Sequence, residues 1–270
     1  MKRSFHFIPG DKNRYFDKIH SLDADYIIFD LEDAVSPKNK DEARRNILGL
    51  LGNTEQLRFF VRINPQGTEE FEKDISFLKI LNNLNVVIPK VVSSVCLKTV
   101  FSCLNVARVI VLIESFNSLD LIKDLDNKIF GAGLGLEDML SELPFSNSHL
   151  NVLSSAVKTE FVMNCRKNGI TPIDGIPSDI FDIEGLKYEC DLARSLGFEG
   201  KFSVHPSHIP VINSAFSPPE FDVEWASKVR NETGLINSGY FKSSWGEILT
   251  PPKILKAKKI LEYIKEDTDG

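Results

Sequence analysis

The chain has 270 residues, of which 42% are hydrophobic and 26% are charged, as is usual for a soluble globular protein. This composition excludes a disordered or fibrous protein, and the formal net charge of -6 argues against nucleic acid or an anionic membrane as a partner. A chain of this length can form one α/β barrel with a single large core.

The cysteines and the first residues indicate the compartment. The four cysteines form no CxxC pair and no cluster with histidine, so neither a zinc site nor a disulfide framework is indicated. The first ten residues lack the apolar stretch of a secretion signal, and no run of about 20 apolar residues follows. We therefore expect a soluble, cytoplasmic protein with no membrane partner.

Eight short apolar runs, rich in β-branched residues, recur between stretches that have helical spacing. Runs such as Tyr26-Ile27-Ile28-Phe29 do not alternate with polar residues, which is typical of parallel strands covered on both faces. The eight predicted strands are residues 4–8, 25–29, 59–63, 86–88, 108–113, 128–132, 171–173 and 201–204.

Helices are predicted between these strands. Residues 38–51 follow Ser36-Pro37, and residues 182–196 precede Gly197, which are start and stop signals of helices. The alternation of strands and helices favours a parallel sheet, and eight units with polar strand ends favour a closed barrel over an open, doubly wound sheet. We predict the α/β class, with a (β/α)8 TIM barrel over residues 1–217.

The C-terminal part of the chain is predicted to be a helical appendix to the barrel, residues 218–270. Pro218-Pro219 leads into a predicted helix at residues 220–232, and a second helix is predicted at 252–264 after a link rich in Gly, Ser and Asn. No internal repeat and no second core are indicated.

Polar side chains follow seven of the eight predicted strands. Barrel enzymes build their active sites on the loops after the carboxyl ends of the strands, so these residues are the candidates for function. They are Asp30-Leu31-Glu32-Asp33, Arg62-Ile63-Asn64, Pro89-Lys90, Glu114-Ser115, Glu137-Asp138, Asp174-Gly175 and His205-Pro206.

Several carboxylates at one barrel mouth would repel one another unless a cation compensated their charge. Mg2+ typically takes one or two carboxylates and keeps several waters, and Glu114 with Asp138 would balance its charge. Arg62 would supply a planar, bidentate partner for a substrate carboxylate. Ordinary ion pairs at the rim are the alternative for any one of these residues, but they do not account for polar ends on seven strands.

Other signals are interpreted as structural. The run Gly131-Ala132-Gly133-Leu134-Gly135 resembles a dinucleotide fingerprint, but its third glycine comes one position early and it follows the sixth strand. We interpret it as a close approach of backbone at the barrel mouth. His6 and His205 are expected to make hydrogen bonds within the fold, and no Ser or Cys stands in a nucleophile elbow.

Seven motifs occur in a recognisable order. They are Arg3-Ser4-Phe5-His6-Phe7-Ile8-Pro9-Gly10, Asp30-Leu31-Glu32-Asp33-Ala34-Val35, Val61-Arg62-Ile63-Asn64, Pro89-Lys90, Ile113-Glu114-Ser115, Glu137-Asp138-Met139 and Gly200-Lys201-Phe202-Ser203-Val204-His205-Pro206. In these motifs and their order the chain resembles the citrate lyase β-subunit-like branch of the HpcH/HpaI aldolase family. This family includes citryl-CoA, malyl-CoA and citramalyl-CoA lyases and related thioesterases.

The resemblance implies an Mg2+-dependent barrel that forms a homotrimer or a hexamer. It implies that Glu114 and Asp138 bind Mg2+ and that Arg62 binds the substrate carboxylate, so that these three residues carry the catalysis. The residues expected to support the barrel mouth are Asp30, Glu32, Asp33 and Lys90.

The reaction implied by the resemblance is reversible carbon-carbon cleavage of a β-hydroxy acyl thioester into a small oxoacid and an acyl-CoA. Two alternatives stay open. One is a class II pyruvate aldolase, and the other is a non-catalytic subunit that binds metal and oxoacid.

One position departs from the family pattern. Many members carry an aspartate before a proline-led helix in the tail, where it reaches the site of a neighbouring subunit, but this chain has Thr250 before Pro251-Pro252. Threonine cannot transfer a proton near neutral pH. We therefore expect slow turnover of ordinary CoA esters, or a purely structural Thr250 at the start of the last helix.

Overall fold

The computed structural model describes residues 2–52, 57–125, 128–144, 151–233 and 240–268. The chain forms two compact units, Lys2–Phe216 and Ser217–Gly270. The division into a barrel domain of residues 1–217 and an extension of residues 218–270 stays a prediction.

Eight parallel strands of the first unit close into a barrel, in which β1 pairs with β2 on one side and with β8 on the other. Each apolar run predicted from the sequence coincides with one strand, and the predicted (β/α)8 TIM barrel is confirmed. The strands are β1 (Ser4–Pro9), β2 (Tyr26–Asp30), β3 (Phe59–Arg62), β4 (Leu84–Ile88), β5 (Val106–Ile113), β6 (Ile129–Leu134), β7 (Thr171–Asp174) and β8 (Gly200–Ser203).

Helices connect the strands of the barrel. In chain order they are α1 (Asn13–Phe16), α2 (Lys40–Leu51), α3 (Glu69–Leu78), α4 (Ser94–Cys103), α5 (Leu136–Ser141), α6 (Asn151–Lys167), α7 (Ile183–Leu196) and α8 (His208–Phe216), with 3-10 turns at Ile19–Ser21, Pro37–Asn39 and Phe116–Asp124. Both predicted helices are confirmed as α2 and α7. The α7 helix ends because Gly197 takes a left-handed φ of 100°, which glycine adopts without strain.

The interior of the barrel is filled with aromatic and aliphatic side chains that come from the strands themselves. The Phe5 and Tyr26 rings stack with centroids 4.9 Å apart, and Phe60 and Phe202 pack beside them. A Cβ on Gly133 would lie 2.4 Å from the Phe202 ring, so this glycine makes room for the packing. A second, larger apolar layer lies between the strands and the helices.

The second unit contains α9 (Glu220–Thr233), the antiparallel pair β9 (Phe241–Lys242) and β10 (Ile248–Leu249), and α10 (Pro251–Thr268). Both helices predicted for the tail are confirmed. Ala226, Val229, Leu249 and Ala257 form the small core of this unit. None of the helices within the described residues is long and apolar enough to cross a membrane.

Candidate active site at the barrel mouth

Asp30 and Arg62 end two neighbouring strands and lie opposite each other in the register of β2 and β3. Asp30 is fully buried, and its two oxygens accept hydrogen bonds from Nε and Nη2 of Arg62 at 2.7 and 2.6 Å. The same oxygens accept the backbone N–H groups of Glu32 and Ala34, each at 2.9 Å. Asp30 therefore holds both the loop after β2 and the plane of the guanidinium group.

The Arg62 guanidinium keeps donors for a further partner. Its third contact joins Nη1 to Oε2 of Glu32 at 3.1 Å. A guanidinium has five N–H bonds, so these three contacts leave two of them without a partner among the residues that the structure describes. Burial disfavours the charge, but hydrogen bonding to Asp30 and the charges of Asp30 and Glu32 raise the pKa of Arg62 above its usual value. Arg62 is thus a fixed cation at the mouth.

Lys90 joins the loop after β2 to the loop after β4. Its Nζ lies 2.8 Å from Oε1 of Glu32 and 3.6 Å from Oδ1 of Asp33. Burial raises the pKa of Glu32, although the charges of Arg62 and Lys90 oppose this shift. Glu32 is therefore a buried carboxylate between two basic side chains, whereas Asp33 is exposed to solvent.

Glu114 follows the last residue of β5 and accepts a hydrogen bond from the Lys90 backbone N–H, with the nitrogen 2.7 Å from Oε2. Burial raises the pKa of Glu114 to about 7, and the nearby charges of Glu32 and Asp138 act in the same direction. The Lys90 amide and the Arg62 charge only partly offset these effects. Glu114 is therefore a largely buried carboxylate whose charged form is disfavoured at the mouth.

Glu137 and Asp138 lie in the first turn of α5, directly after β6. Both side chains are exposed, but partial desolvation together with the charge of Asp138 raises the pKa of Glu137. Asp138 and Glu114 line one cavity of about 520 Å3, to which Arg62 also contributes. Phe7, Leu112 and Phe202 of the barrel strands also line this cavity.

The structure thus brings the three predicted catalytic residues, Arg62, Glu114 and Asp138, to one cavity. The predicted supporting residues are not part of the cavity lining. They form a chain of ion pairs that reaches the cavity through Arg62 and consists of Asp30, Glu32, Asp33 and Lys90 with Arg62. The catalytic and binding roles of all seven residues stay predictions.

The donor set at the mouth fits a hard divalent cation. Among the described residues no group of three or more His, Cys, Asp or Glu side chains is arranged to hold a metal ion. Mg2+ needs only one or two protein carboxylates, because waters and substrate oxygens complete its octahedron. Burial, together with the charges of Glu32 and Asp138, raises the pKa of Glu114, and a cation beside this carboxylate would stabilise its charged form.

Lys40 is a supporting residue that the sequence interpretation missed. Its buried Nζ donates hydrogen bonds to the backbone oxygens of Leu31 and Glu32, at 2.7 and 3.0 Å, and to Oδ1 of Asn64 at 2.7 Å. Lys40 and Arg44 stand on the buried stripe of α2 with Ala43, Ile47 and Leu51. The sequence did carry a signal for this role, because Lys40 has the same helical spacing as the apolar residues of α2 and so belongs to the buried face of that helix.

The far wall of the cavity carries a quartet of charges in which Asp174 and Lys201 are buried, and of these four only Asp174 was a candidate for function from the sequence. The Asp174 oxygens lie 2.9 Å from Nζ of Lys158 and 2.7 Å from Nζ of Lys201. Lys201 also pairs with Glu189 at 3.1 Å. Despite burial, the charges of Lys201 and Lys158 hold the pKa of Asp174 below its usual value. The quartet is internally neutral and connects α6 and α7 to the barrel.

His6 and His205 make hydrogen bonds within the fold, as expected. Nδ1 of His6 lies 2.9 Å from Oγ of Ser203, and burial lowers the pKa of His6 to about 4. His205 contacts Oγ of Ser207 at 2.8 Å. Neither histidine lines the cavity.

Residues 3–206 match the family of HpcH/HpaI aldolase/citrate lyase. The (3S)-malyl-CoA thioesterase of Cereibacter sphaeroides is 30% identical over 230 residues, which cover 84% of this chain and 81% of that relative.

Two solved structures from Mycobacterium tuberculosis share the fold. CitE in complex with magnesium, acetoacetate and coenzyme A has a TM-score of 0.79 and 26% identity, and the match covers 96% of this chain and 97% of that one. Citrate lyase beta subunit complexed with oxaloacetate and magnesium has a TM-score of 0.71 and 27% identity, with 80% and 96% covered. The chain belongs to the HpcH/HpaI aldolase/citrate lyase family.

Proposed function

We propose that the protein is an Mg2+-dependent carbon-carbon lyase or aldolase that acts on a small oxo- or hydroxyacid as its CoA thioester. The observation that carries this proposal is the arrangement of Glu114, Asp138 and Arg62 around one cavity, with two N–H bonds of Arg62 uncommitted. The complexes of the two Mycobacterium tuberculosis relatives with magnesium and an oxoacid support it.

Glu114 and Asp138 are the proposed ligands of Mg2+. When bound, the ion supplies a Lewis acid that polarises oxygens of the substrate. The chain's own part is to hold the Glu114 carboxylate in place through the Lys90 amide and to keep this end of the cavity rich in carboxylate oxygens.

Arg62 is the proposed partner of the substrate carboxylate. Its two uncommitted N–H bonds suit a planar anion, and two hydrogen bonds to Asp30 fix the guanidinium before substrate arrives. A charge held in this way needs no reorganisation when negative charge develops in the reaction. Asp30, Glu32 and Lys90 therefore act on the substrate only through Arg62 and Glu114.

The missing aspartate of the tail favours a second candidate, a subunit that binds metal and oxoacid without turnover. The α10 helix begins at Pro251, and the carbonyl oxygen of Thr250 accepts the Ile254 N–H at 3.0 Å. Thr250 is therefore the residue that starts the last helix, and its hydroxyl cannot replace a carboxylate as an acid or base.

Two measurements on the intact protein test these proposals. Calorimetry with Mg2+ and then with oxaloacetate, acetoacetate or pyruvate should detect Mg2+-dependent oxoacid binding, and this binding should be lost in Glu114→Ala and in Asp138→Ala. Unchanged Mg2+ affinity in both variants would rule out the metal site. Cleavage of malyl-CoA, citramalyl-CoA or citryl-CoA with Mg2+ then separates a lyase from a binding subunit, and release of free CoA without an oxoacid product would indicate a thioesterase.

A homotrimer, or a hexamer built from trimers, in the cytoplasm completes the proposal. Unpaired cysteines at positions 96, 103, 165 and 190 suit a reducing compartment. Light scattering should give a mass of three or six chains, and a concentration-independent monomer would contradict the proposed assembly.

A further inference from the structure

Glu114 lies between two backbone segments that follow β4 and β6, the strands on either side of β5. Lys90 stands on one side and Gly135 on the other. Gly135 lacks a side chain at a place where a Cβ would meet Glu114, and Lys90 has a positive φ although it is not glycine. Both residues contact Glu114 or leave space for it.

Gly135 has a φ of -88° and a ψ of 69°, so it does not use the left-handed region that only glycine enters freely. A Cβ at this position would lie 2.5 Å from Cγ of Glu114, 3.3 Å from its Cβ and 3.4 Å from its Cδ. The Gly135 backbone N–H is tied to the carbonyl oxygen of Ile113 at 2.9 Å. The backbone is therefore pinned to β5, and a larger residue would displace the Glu114 side chain.

Lys90 shows the opposite pattern, because it has a positive φ of 49° although it is not glycine. Such residues are uncommon, and they cluster at functional sites. In this conformation the Lys90 N–H donates to Oε2 of Glu114, while Nζ pairs with Glu32. No described residue gives Oε1 of Glu114 a hydrogen bond.

We propose that Gly135 and Lys90 are positioning residues that set the Glu114 carboxylate in one orientation, with Oε2 held by the Lys90 amide and Oε1 presented to Mg2+. This inference rests on the proposed function. Gly135 acts by leaving space for the Glu114 methylene groups, and the Lys90 amide then fixes the rotation of the carboxylate. Both act through Glu114, and of the two only Gly135 also lines the cavity.

The test is a double-mutant cycle on the whole chain, with Gly135→Ala, Glu114→Ala and the double variant. Thermal unfolding is measured without divalent ions, and Mg2+ affinity is measured by calorimetry. Glu114→Ala removes the atoms that a new Cβ would meet. We therefore expect Gly135→Ala to lower Tm clearly in the wild-type background and only slightly in the Glu114→Ala background.

Gly135→Ala should also weaken Mg2+ binding by about 10-fold to 100-fold, the usual effect of disturbing the support of a metal ligand. The matched control is Gly49→Ala, because a Cβ there meets nothing within 4 Å, and it should keep wild-type Mg2+ affinity. Equal Tm shifts in both backgrounds, or wild-type Mg2+ affinity in Gly135→Ala, would overturn the inference. If the wild type itself binds no Mg2+, the proposed function fails, and the two Tm shifts still decide whether Gly135 acts through Glu114.

Discussion

Asp30 and Arg62 face each other across two parallel strands and share two hydrogen bonds, Nε to Oδ1 at 2.7 Å and Nη2 to Oδ2 at 2.6 Å. The Asp30 carboxylate is fully buried, while 14% of the Arg62 side chain remains exposed. The pair therefore has one face towards the cavity and one towards the protein interior. This geometry makes the stability of the mouth and the recognition of an anion depend on the same contact.

Asp30→Asn should destabilise the folded chain by about 3 kcal/mol, because it leaves a largely buried guanidinium with only part of its charge compensated. Chemical denaturation would measure this loss. Asp41→Asn is a matched control, because Asp41 pairs with Arg44 but has 73% of its side chain exposed. Its effect should be below about 1 kcal/mol. Equal effects of the two substitutions would contradict the structural role of Asp30.

Arg62→Lys should weaken oxoacid binding by roughly 1 to 3 kcal/mol, because it keeps the charge but removes the planar pair of donors. Calorimetry with oxaloacetate in the presence of Mg2+ would measure this. The exposed Arg14 supplies the control, and Arg14→Lys should bind as the wild type does. An Arg62→Lys variant with unchanged oxoacid affinity would show that another group holds the carboxylate.

The contribution of Glu114 to the stability of the metal-free chain should fall as pH rises from about 4.5 to about 7, whereas the lowered pKa of His6 acts in the opposite direction. The pKa of Glu114 is raised in the folded state from 4.5 to about 7, so this carboxylate binds more protons in the folded chain than in the unfolded chain in this range. The contribution of Glu114 is thus present at low pH and is lost as its folded pKa is passed. The loss amounts to about 3 kcal/mol, since one pKa unit corresponds to about 1.4 kcal/mol.

Denaturation at pH 5 and pH 8 without divalent ions, in wild type and in Glu114→Gln, would test this dependence. The difference in the free energy of unfolding between wild type and Glu114→Gln reports the contribution of Glu114, because the other titrating groups are common to both proteins. Glu114→Gln should lose less stability than the wild type between the two pH values. Identical losses would contradict the assigned pKa. Since protons compete with the cation for this carboxylate, Mg2+ should bind more tightly at pH 8 than at pH 6.

Thr250→Asp should raise the lyase or thioesterase activity, provided that the tail reaches a neighbouring site as the resemblance implies. A positioned acid or base typically contributes about 10^2-fold to 10^4-fold in rate, so the gain should be visible in a steady-state assay. Thr250→Asn has a similar size but no acid or base, and it should leave the rate low. Brisk wild-type turnover of malyl-CoA or citramalyl-CoA, unchanged in Thr250→Asp, would assign Thr250 to the helix start alone.

The barrel could be predicted because buried parallel strands leave a local mark in the sequence. Apolar runs such as Tyr26-Ile27-Ile28-Phe29 need no alternation when both faces are covered, and each is short enough to distinguish from a helix. The candidate functional residues could be predicted from the same apolar runs, because they are the polar residues at or after the ends of these runs. Glu114 and Asp138 share a mouth because parallel strands point the same way.

The partners of the charged residues could not be predicted in this way. Lys158 pairs with Asp174, and Lys201 pairs with Glu189, because tertiary packing brings them together. No regular spacing along the sequence predicts these ion pairs. The positive φ of Lys90 could not be predicted for the same reason. This backbone conformation is stabilised by a hydrogen bond to Glu114, which follows a different strand. Sequence patterns locate the mouth, but the orientation of each group within it depends on neighbours distant in the chain.

The rings that fill the barrel have a consequence for the movement of ligands. Phe5, Tyr26, Phe60 and Phe202 pack across the strands, and Phe7 lies above them beside the cavity. The barrel axis is therefore closed to diffusion, and molecules enter and leave on the side of the strand carboxyl ends. Under the proposed cleavage, the two products therefore share one route of departure.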